Sequence, residues 1–403
     1  MIAMADYNFF HPNITNNPYP LLHQLQAENP VYWSPQLNGW VLTKYDDVIS
    51  VLRSRFITPM TMTERLHVFP MPLRKTFRPL RNCIALWMGH PSHSDSFRMQ
   101  RVFKRFFTPH RVNKLRDETK RRTTGLLEPL KEQGAIDIVS ELTEPLSAGI
   151  MAHMLGLPSR DETRIKGWSK DIQAMFDPFY DVEGLHEVQA NLQNMSRYLH
   201  KIIRQRQTGR SDDLISVLIE AQDDGEIQHE EEIIANCMLL LCIGYESATN
   251  LMNNGLLTLL QHPEQLAKLQ ANPDLLPLAV EEMLRYEVPS QLLTRTTMTD
   301  VQINETKIAP HETLFVMLSA ANRDPAKFSR PNDFDITRKK NRHIAFGLDS
   351  FHCLGASIAR MEAKACFSTL LHDLPTLLPN FDRPHWQAIH PLRRKLTSLP
   401  VLV

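Results

Sequence analysis

The stretch His343–Arg360, HIAFGLDSFHCLGASIAR, decides how this chain is read. Up to Cys353 it has no apolar period and reads as loop. From Leu354 onward, LGASIARMEAKACFSTLLHDL repeats apolar residues at helical spacing. Cys353 therefore falls at or just before a helix N-terminus, where free N–H groups and the positive dipole end favour a thiolate. On placement alone a buried structural thiol is the commoner case. The other cysteines, Cys83, Cys237, Cys242 and Cys366, are widely spaced, and the total of five is odd. That is neither a disulfide framework nor a zinc pattern. It fits a reducing cytoplasm.

Outward from this stretch, the 403 residues carry 45 basic and 45 acidic side chains, a formal net charge of zero. Nothing in that balance points to nucleic acid or an anionic membrane. A hydrophobic fraction of 42% suits a packed core. The N-terminus has no basic segment followed by an apolar run, so no signal peptide is expected. The most apolar run, CMLLLCIG, is far shorter than a membrane span of about 20 residues. The prolines make no linker, so residues 1–403 are read as a single domain.

Early on, PVYWS and GWVLTKY read as strands, and DDVISVLRS as a helix with Asp46 or Asp47 near its N-cap. Helical periodicity dominates from about 95 to 270. One segment, EEEIIANCMLLLCIGYESATNLMNNGLLTLLQ, exceeds 30 residues and is apolar enough to be buried on most sides. From about 295, RTTMTDVQI, TKIAPHETLFVML and LTSLPVLV read as short strands. The expected class is mainly α with a smaller β-rich region.

The cysteine stretch resembles the haem-binding signature of the cytochromes P-450, Phe-Gly-x-Gly-x-His-x-Cys-x-Gly. Phe346, Gly347, Cys353 and Gly355 match, as do Ala359 and Arg360. Asp349 stands for the second Gly, and Phe351 for the His that touches a haem propionate; His352 lies one place later. The resemblance implies Cys353 as the axial ligand of haem b, buried between the long I helix and the L helix, with Phe346 beside the sulfur. A thiolate ligand pushes electron density into the iron and favours O–O cleavage.

Other motifs follow in order. Glu282 and Arg285 in EEMLR share a helix face. As a chance ion pair they would mean little. About 70 residues ahead of the cysteine they resemble the family's K-helix pair. Asn322, Arg323, Asp324, Pro325, Phe328, Pro331, Phe334 and Asp335 match the bacterial pattern. Asp333 takes the place of a common meander Arg, and Arg338 becomes the candidate third partner. CIGYESATN resembles the oxygen-binding groove of helix I. Gly244 and Glu246 match, Ser247 keeps the hydroxyl of the usual Thr, and Ile243 replaces a small residue. The resemblance implies a local opening at Gly244 and a proton relay through Glu246 and Ser247. The alternative is that both side chains only satisfy backbone or bridge a neighbour.

Arg295 and His343 match the family's propionate contacts; Gln100 and His93 are further candidates. Substrate contacts implied are Leu239, Ile243, Gln291, Leu292 and Leu392. Arg98, Arg101, Lys104 and Arg105 form either a solvated helix face or a patch that docks an acidic ferredoxin. No flavin or nicotinamide fingerprint occurs, so electrons come from outside, through a ferredoxin and ferredoxin reductase. The resulting expectation is a cytoplasmic monooxygenase of specialised metabolism that inserts one atom of O2 into an apolar small molecule. Oxidative coupling, cyclisation or desaturation by the same haem, and a low-turnover haem-binding scaffold, are the alternatives.

Overall fold

The computed structural model describes residues 7–59, 63, 66, 69–88, 90, 96–174, 182–390 and 393–403. Its principal helices are α1 (Arg78–Ala85), α2 (Ser96–Phe106), α3 (Pro109–Leu127), α4 (Glu144–Met154), α5 (Glu162–Ala174), α6 (Val182–Thr208), α7 (Glu230–Gln261), α8 (Leu276–Tyr286) and α9 (Ala356–Asp373). The 32-residue α7 forms the axis of the body. Glu232 closes a capping box at its start with His229. Almost every residue from Ile233 to Cys242 and from Ala248 to Leu260 is buried. By length and composition α7 could cross a membrane, but 72% of its apolar window is buried inside the protein. It is the core helix of this fold. Helices α4, α5, α6 and α9 pack around it, and α9 also lies along α3. Most of the apolar core is the cluster these helices share.

The strand-rich part lies to one side. β1 (Val31–Ser34), β2 (Gly39–Leu42), β3 (Ile57–Pro59), β5 (Leu292–Thr297) and β8 (Thr313–Met317) make a sheet in the order β1-β2-β8-β5-β3. Only β2 and β8 run parallel within it. β4 (Ala135–Asp137), β12 (Pro400–Leu402) and β9 (Leu378–Pro379) form a three-stranded sheet. β6 (Val301–Ile303) pairs with β7 (Thr306–Ile308), and β10 (His385–His390) with β11 (Arg393–Ser398). Two smaller apolar clusters hold the five-stranded sheet to its flanking helices.

The expected strands and the long helix lie where the sequence reading put them. One cap differs. Lys44, not Asp46 or Asp47, is the N-cap of the helix Tyr45–Arg53, and both aspartates occupy its first turn. They meet the helix through its dipole rather than as the cap. The cap-proximal N–H of Tyr45 is taken instead by Asp324 Oδ2 at 2.8 Å, a contact from 279 residues away that no local rule can see.

Candidate functional site: the Cys353 loop, α7 and α8

The Cys353 loop is a tight bulge built from backbone. Cys353 N donates to Phe346 O at 2.8 Å, closing residues 346–353 into a ring. Gly347 has φ +69, and a Cβ there would come within 3.1 Å of Phe351 O, so this position requires glycine. Asp349 has φ +48 in the left-handed region, which Asp tolerates better than most residues. The residue replacing the family's second Gly thus adopts a backbone that a Gly would allow. Its carboxylate reaches Arg53 at 3.1 Å, an exposed pair.

Cys353 is accessible to solvent, yet enough protein surrounds it that burial is the main influence on its thiol. Burial pushes the thiol above its ordinary value; the Gly355 N–H and the Arg360 charge pull the other way. The helix-start argument for a lowered value is therefore outweighed in the protein alone. Gly355 is the N-cap of α9, and its Cβ position stands open 3.9 Å from the Cys353 sulfur.

Arg295, on β5, is the most telling charge. It is 7% exposed, and its one hydrogen bond among the described residues runs from Nη1 to Thr294 O at 3.0 Å. No carboxylate meets it there. Burial alone lowers its pKa to about 10, so it stays charged at neutral pH. Its guanidinium stacks on Phe351, 5.6 Å from the ring centroid. The Phe in the usual His position therefore supports the arginine through its π face. A buried cation without an anion is costly. The carboxylates of a haem are the chemistry that would neutralise it, beside a thiol that can ligate the iron. On these grounds the residues fit haem.

His343 is set apart from that role. Its Nε2 lies 3.0 Å from Glu281 Oε2, and its Nδ1 accepts from Ala345 N at 3.3 Å. With both nitrogens engaged it has no donor left for a propionate. Glu281 also binds Arg360 through two hydrogen bonds, 2.6 and 2.9 Å, and Arg360 stacks on Phe346 at 4.4 Å. Burial works to raise the Glu281 carboxyl, but the hydrogen bonds from His343 and Arg360 and the Arg360 charge hold it down at about 2. Glu281 is a residue that the sequence reading missed, because only its neighbour Glu282 stands at the family spacing from Arg285. Its only signal was position: a second acid on α8, ahead of a family arginine on α9. His352 is exposed beside Phe346, with ring centroids 6.2 Å apart.

The α8 pair is wholly buried. Arg285 Nε and Nη2 meet Glu282 at 2.8 and 2.7 Å, and both side chains are 0% exposed. Arg338 Nε meets both Glu282 oxygens at 3.1 Å. The two arginines also donate to the carbonyls of Asn322, Ser329, Arg330, Pro331 and Asp333. This is a two-cation, one-anion cluster that fixes the path of residues 322–338 ahead of the cysteine loop.

On α7, Ile243 is 43% exposed in a helix whose flanks are buried. Ser247, half-buried, donates to Ile243 O at 3.3 Å. Glu246, also half-buried, has no hydrogen bond or ion pair among the described residues. At Gly244 the helix is unbroken, and an added Cβ would meet the flexible end of the Met151 side chain of α4. Leu239, at i, i+4 to Ile243, lies on the same face but is only 7% exposed and packs in the main core. Leu240, half-buried and at i, i+3, i+7 with Ile243 and Ser247, shares that face and was missed.

Two further substrate candidates are spoken for. Both ends of the Gln291 amide bind the Arg394 backbone, at 3.2 and 2.8 Å. Leu292 is buried in the cluster behind the five-stranded sheet. Gln100 lies half-buried on α2. His93 and Leu392 lie outside the described residues. Two of the four cations of α2 are already paired. Arg98 is 14% exposed and reaches Glu232 at 2.6 Å, and Arg105 pairs with Glu226. Arg101 and Lys104 remain exposed.

The family model described as Cytochrome P450 matches residues 97–387. The chain is 32% identical to the "Biotin biosynthesis cytochrome P450" of Bacillus subtilis (strain 168), over 96% of this chain and 96% of that protein. It is 32% identical to the "Vitamin D(3) 25-hydroxylase" of Pseudonocardia autotrophica, over 92% of this chain and 90% of that protein. Among solved structures, P450BioI in complex with hexadec-9Z-enoic acid ligated acyl carrier protein matches with a TM-score of 0.89 and 31% identity, over 97% of this chain and 99% of that one. Myxobacterial CYP267B1 in complex with myristic acid matches with a TM-score of 0.86 and 30% identity, over 98% of both.

The chain belongs to the cytochrome P450 family. It is a monooxygenase of the bacterial type that uses haem b.

Proposed function

We propose that this protein inserts one oxygen atom from O2 into an apolar organic substrate of specialised metabolism, with Cys353 as the axial ligand. The observation that carries the reading is the buried Arg295, stacked on the cysteine loop and meeting no carboxylate among the described residues. Haem bound through Cys353 supplies the activation of dioxygen. The chain's own residues do the rest. Arg295 holds a propionate, and Phe346 and the Gly347 bulge set the loop around the sulfur. Ser247 and Glu246 move protons toward the open space that Ile243 faces. Glu246 suits that task because no partner among the described residues immobilises it, and the Ser247 hydroxyl keeps an accepting oxygen while it donates to Ile243 O.

Ile243, bulkier than the family's usual residue, narrows that space and favours slim substrates. Fatty-acyl chains are the first class to screen. Two similar structures carry such chains, hexadec-9Z-enoic acid on an acyl carrier protein and myristic acid. Electrons come from a ferredoxin and its reductase, docked near Arg101 and Lys104. Coupling, cyclisation and desaturation by the same haem remain alternative outcomes once the substrate is bound.

The test is the absorption spectrum of the reduced, carbon monoxide-bound protein. A red-shifted thiolate-type Soret band is expected. A folded, haem-loaded sample without that band would sink the assignment of Cys353.

A further inference from the structure

The Cys353 loop carries one acid. Between His343 and Arg360 the only carboxylate in the sequence is that of Asp349. Its backbone lies at φ +48, which glycine adopts without strain and most side chains resist. Its side chain is 54% exposed and accepts from Arg53 Nε at 3.1 Å. Arg53, in the last turn of the helix Tyr45–Arg53, is itself 60% exposed. An ion pair this open to water adds little to folding. The loop closes without it, through Cys353 N donating to Phe346 O at 2.8 Å and His352 N donating to Asp349 O at 3.1 Å. A residue held in a strained backbone beside a working group, with little to do for stability, points to function.

The His352–Asp349 bond closes a four-residue turn, whose end Cα atoms lie under about 7 Å apart. Cys353 is one residue further, so the backbones of Asp349 and Cys353 are within about 11 Å. A unit charge at about that range, in contact with water, changes a one-electron equilibrium about two- to fourfold. The nearest cation of α9 is committed elsewhere, since Arg360 binds Glu281. Arg53 is the cation that meets Asp349 among the described residues.

We propose that Asp349 sets the reduction potential at this site: its carboxylate holds the potential of haem bound through Cys353 down, and Arg53 limits that effect. The inference rests on Cys353 as the axial ligand. The step concerned is the gain of one electron by ferric iron, given by the donor protein in turnover and by dithionite in a titration. No bond forms or breaks in it. The added electron puts negative charge beside the loop, which an anion there opposes and a cation favours. A chain with glycine at this place is reduced more readily.

A dye-mediated potential titration of the holoenzyme tests this. Asp349→Asn and Asp349→Gly both remove the charge and both tolerate a positive φ. Each should raise the ratio of reduced to oxidised haem about two- to fourfold at a fixed potential, equivalent to about 20–35 mV. Arg53→Gln should shift it in the opposite direction. All three shifts should shrink between about 0.01 M and about 1 M salt. The Soret band of the reduced, carbon monoxide-bound protein reports separately whether Cys353 is the ligand. With a thiolate-type band present, an unchanged or lowered potential in Asp349→Asn overturns the proposal and leaves the ligand assignment standing. Without that band in the unmodified protein, both fall. Unequal shifts for the Asn and Gly variants, or a shift of the same sign in Arg53→Gln, would trace the effect to loop geometry and overturn the proposal as well.

Discussion

At the scale of single residues, charge placement separates the working site from its frame. Arg295 is charged, buried and without a carboxylate, whereas His343 already has partners at both nitrogens. Replacing Arg295 by Leu should therefore weaken haem retention by about tenfold, the value of one charge-assisted hydrogen bond. Haem transfer to apomyoglobin measures it, and unchanged transfer would remove Arg295 from the propionate role. Ser247→Ala should lower product formed per electron by about tenfold, with excess peroxide released. Unchanged coupling would leave Ser247 as a backbone-satisfying hydroxyl. Glu281 is depressed to about 2, so its stabilising contribution is present above about pH 4.3 and is lost as pH falls through 2. Glu281→Gln should flatten acid unfolding in that window.

At the scale of elements, two buried carboxylates act in opposite senses. Glu282 on α8 is paired with two arginines, so Glu282→Ala leaves two cations without their anion. The loss should reach about 3–5 kcal/mol, read as a fall in soluble, folded protein. Glu362 on α9 instead accepts from Ser147 of α4 and faces no cation in its hydrogen-bond set. Burial raises its pKa to about 7. The sign is opposite to Glu281: the stabilising contribution is full below about pH 4.3 and is lost as pH rises toward 7. Glu362→Gln should thus gain stability of order 3 kcal/mol at about pH 8 relative to about pH 4. Denaturant unfolding of both proteins at the two pH values tests this, and a parallel pH response would refute it.

At the scale of the whole molecule, zero net charge hides local unevenness. Of the four α2 cations, Arg98 and Arg105 are tied to Glu232 and Glu226 and so serve to fix α2 against the start of α7. Arg101 and Lys104 are exposed, and the proposed ferredoxin would dock there. Reversing both to Glu should slow reduction by a ferredoxin about tenfold at low salt, and less at high salt. Reduction by dithionite should be unaffected. Equal rates with ferredoxin would place its docking surface elsewhere.

What the sequence determined by itself was whatever depends on local order. The helical period fixed α7 and α9, alternation and turn residues placed the strands, and the spacing of Phe346, Gly347, Cys353 and Gly355 marked the bulge. The Glu282–Arg285 face followed from three-residue spacing on a helix. Tertiary structure decided what depends on contacts across the chain. Gly244 sits in an unbroken stretch of α7 with the end of the Met151 side chain against it. Gln291 was claimed by Arg394, 103 residues away, and His343 by Glu281, 62 residues away. Asp349 and Phe351 looked like defects in the cysteine loop. One turned out to sustain the left-handed backbone and the other to carry Arg295 on its ring. Local sequence sets backbone period and conformational tolerance, but a polar side chain's role is set by which partner reaches it first, and that is known only after folding.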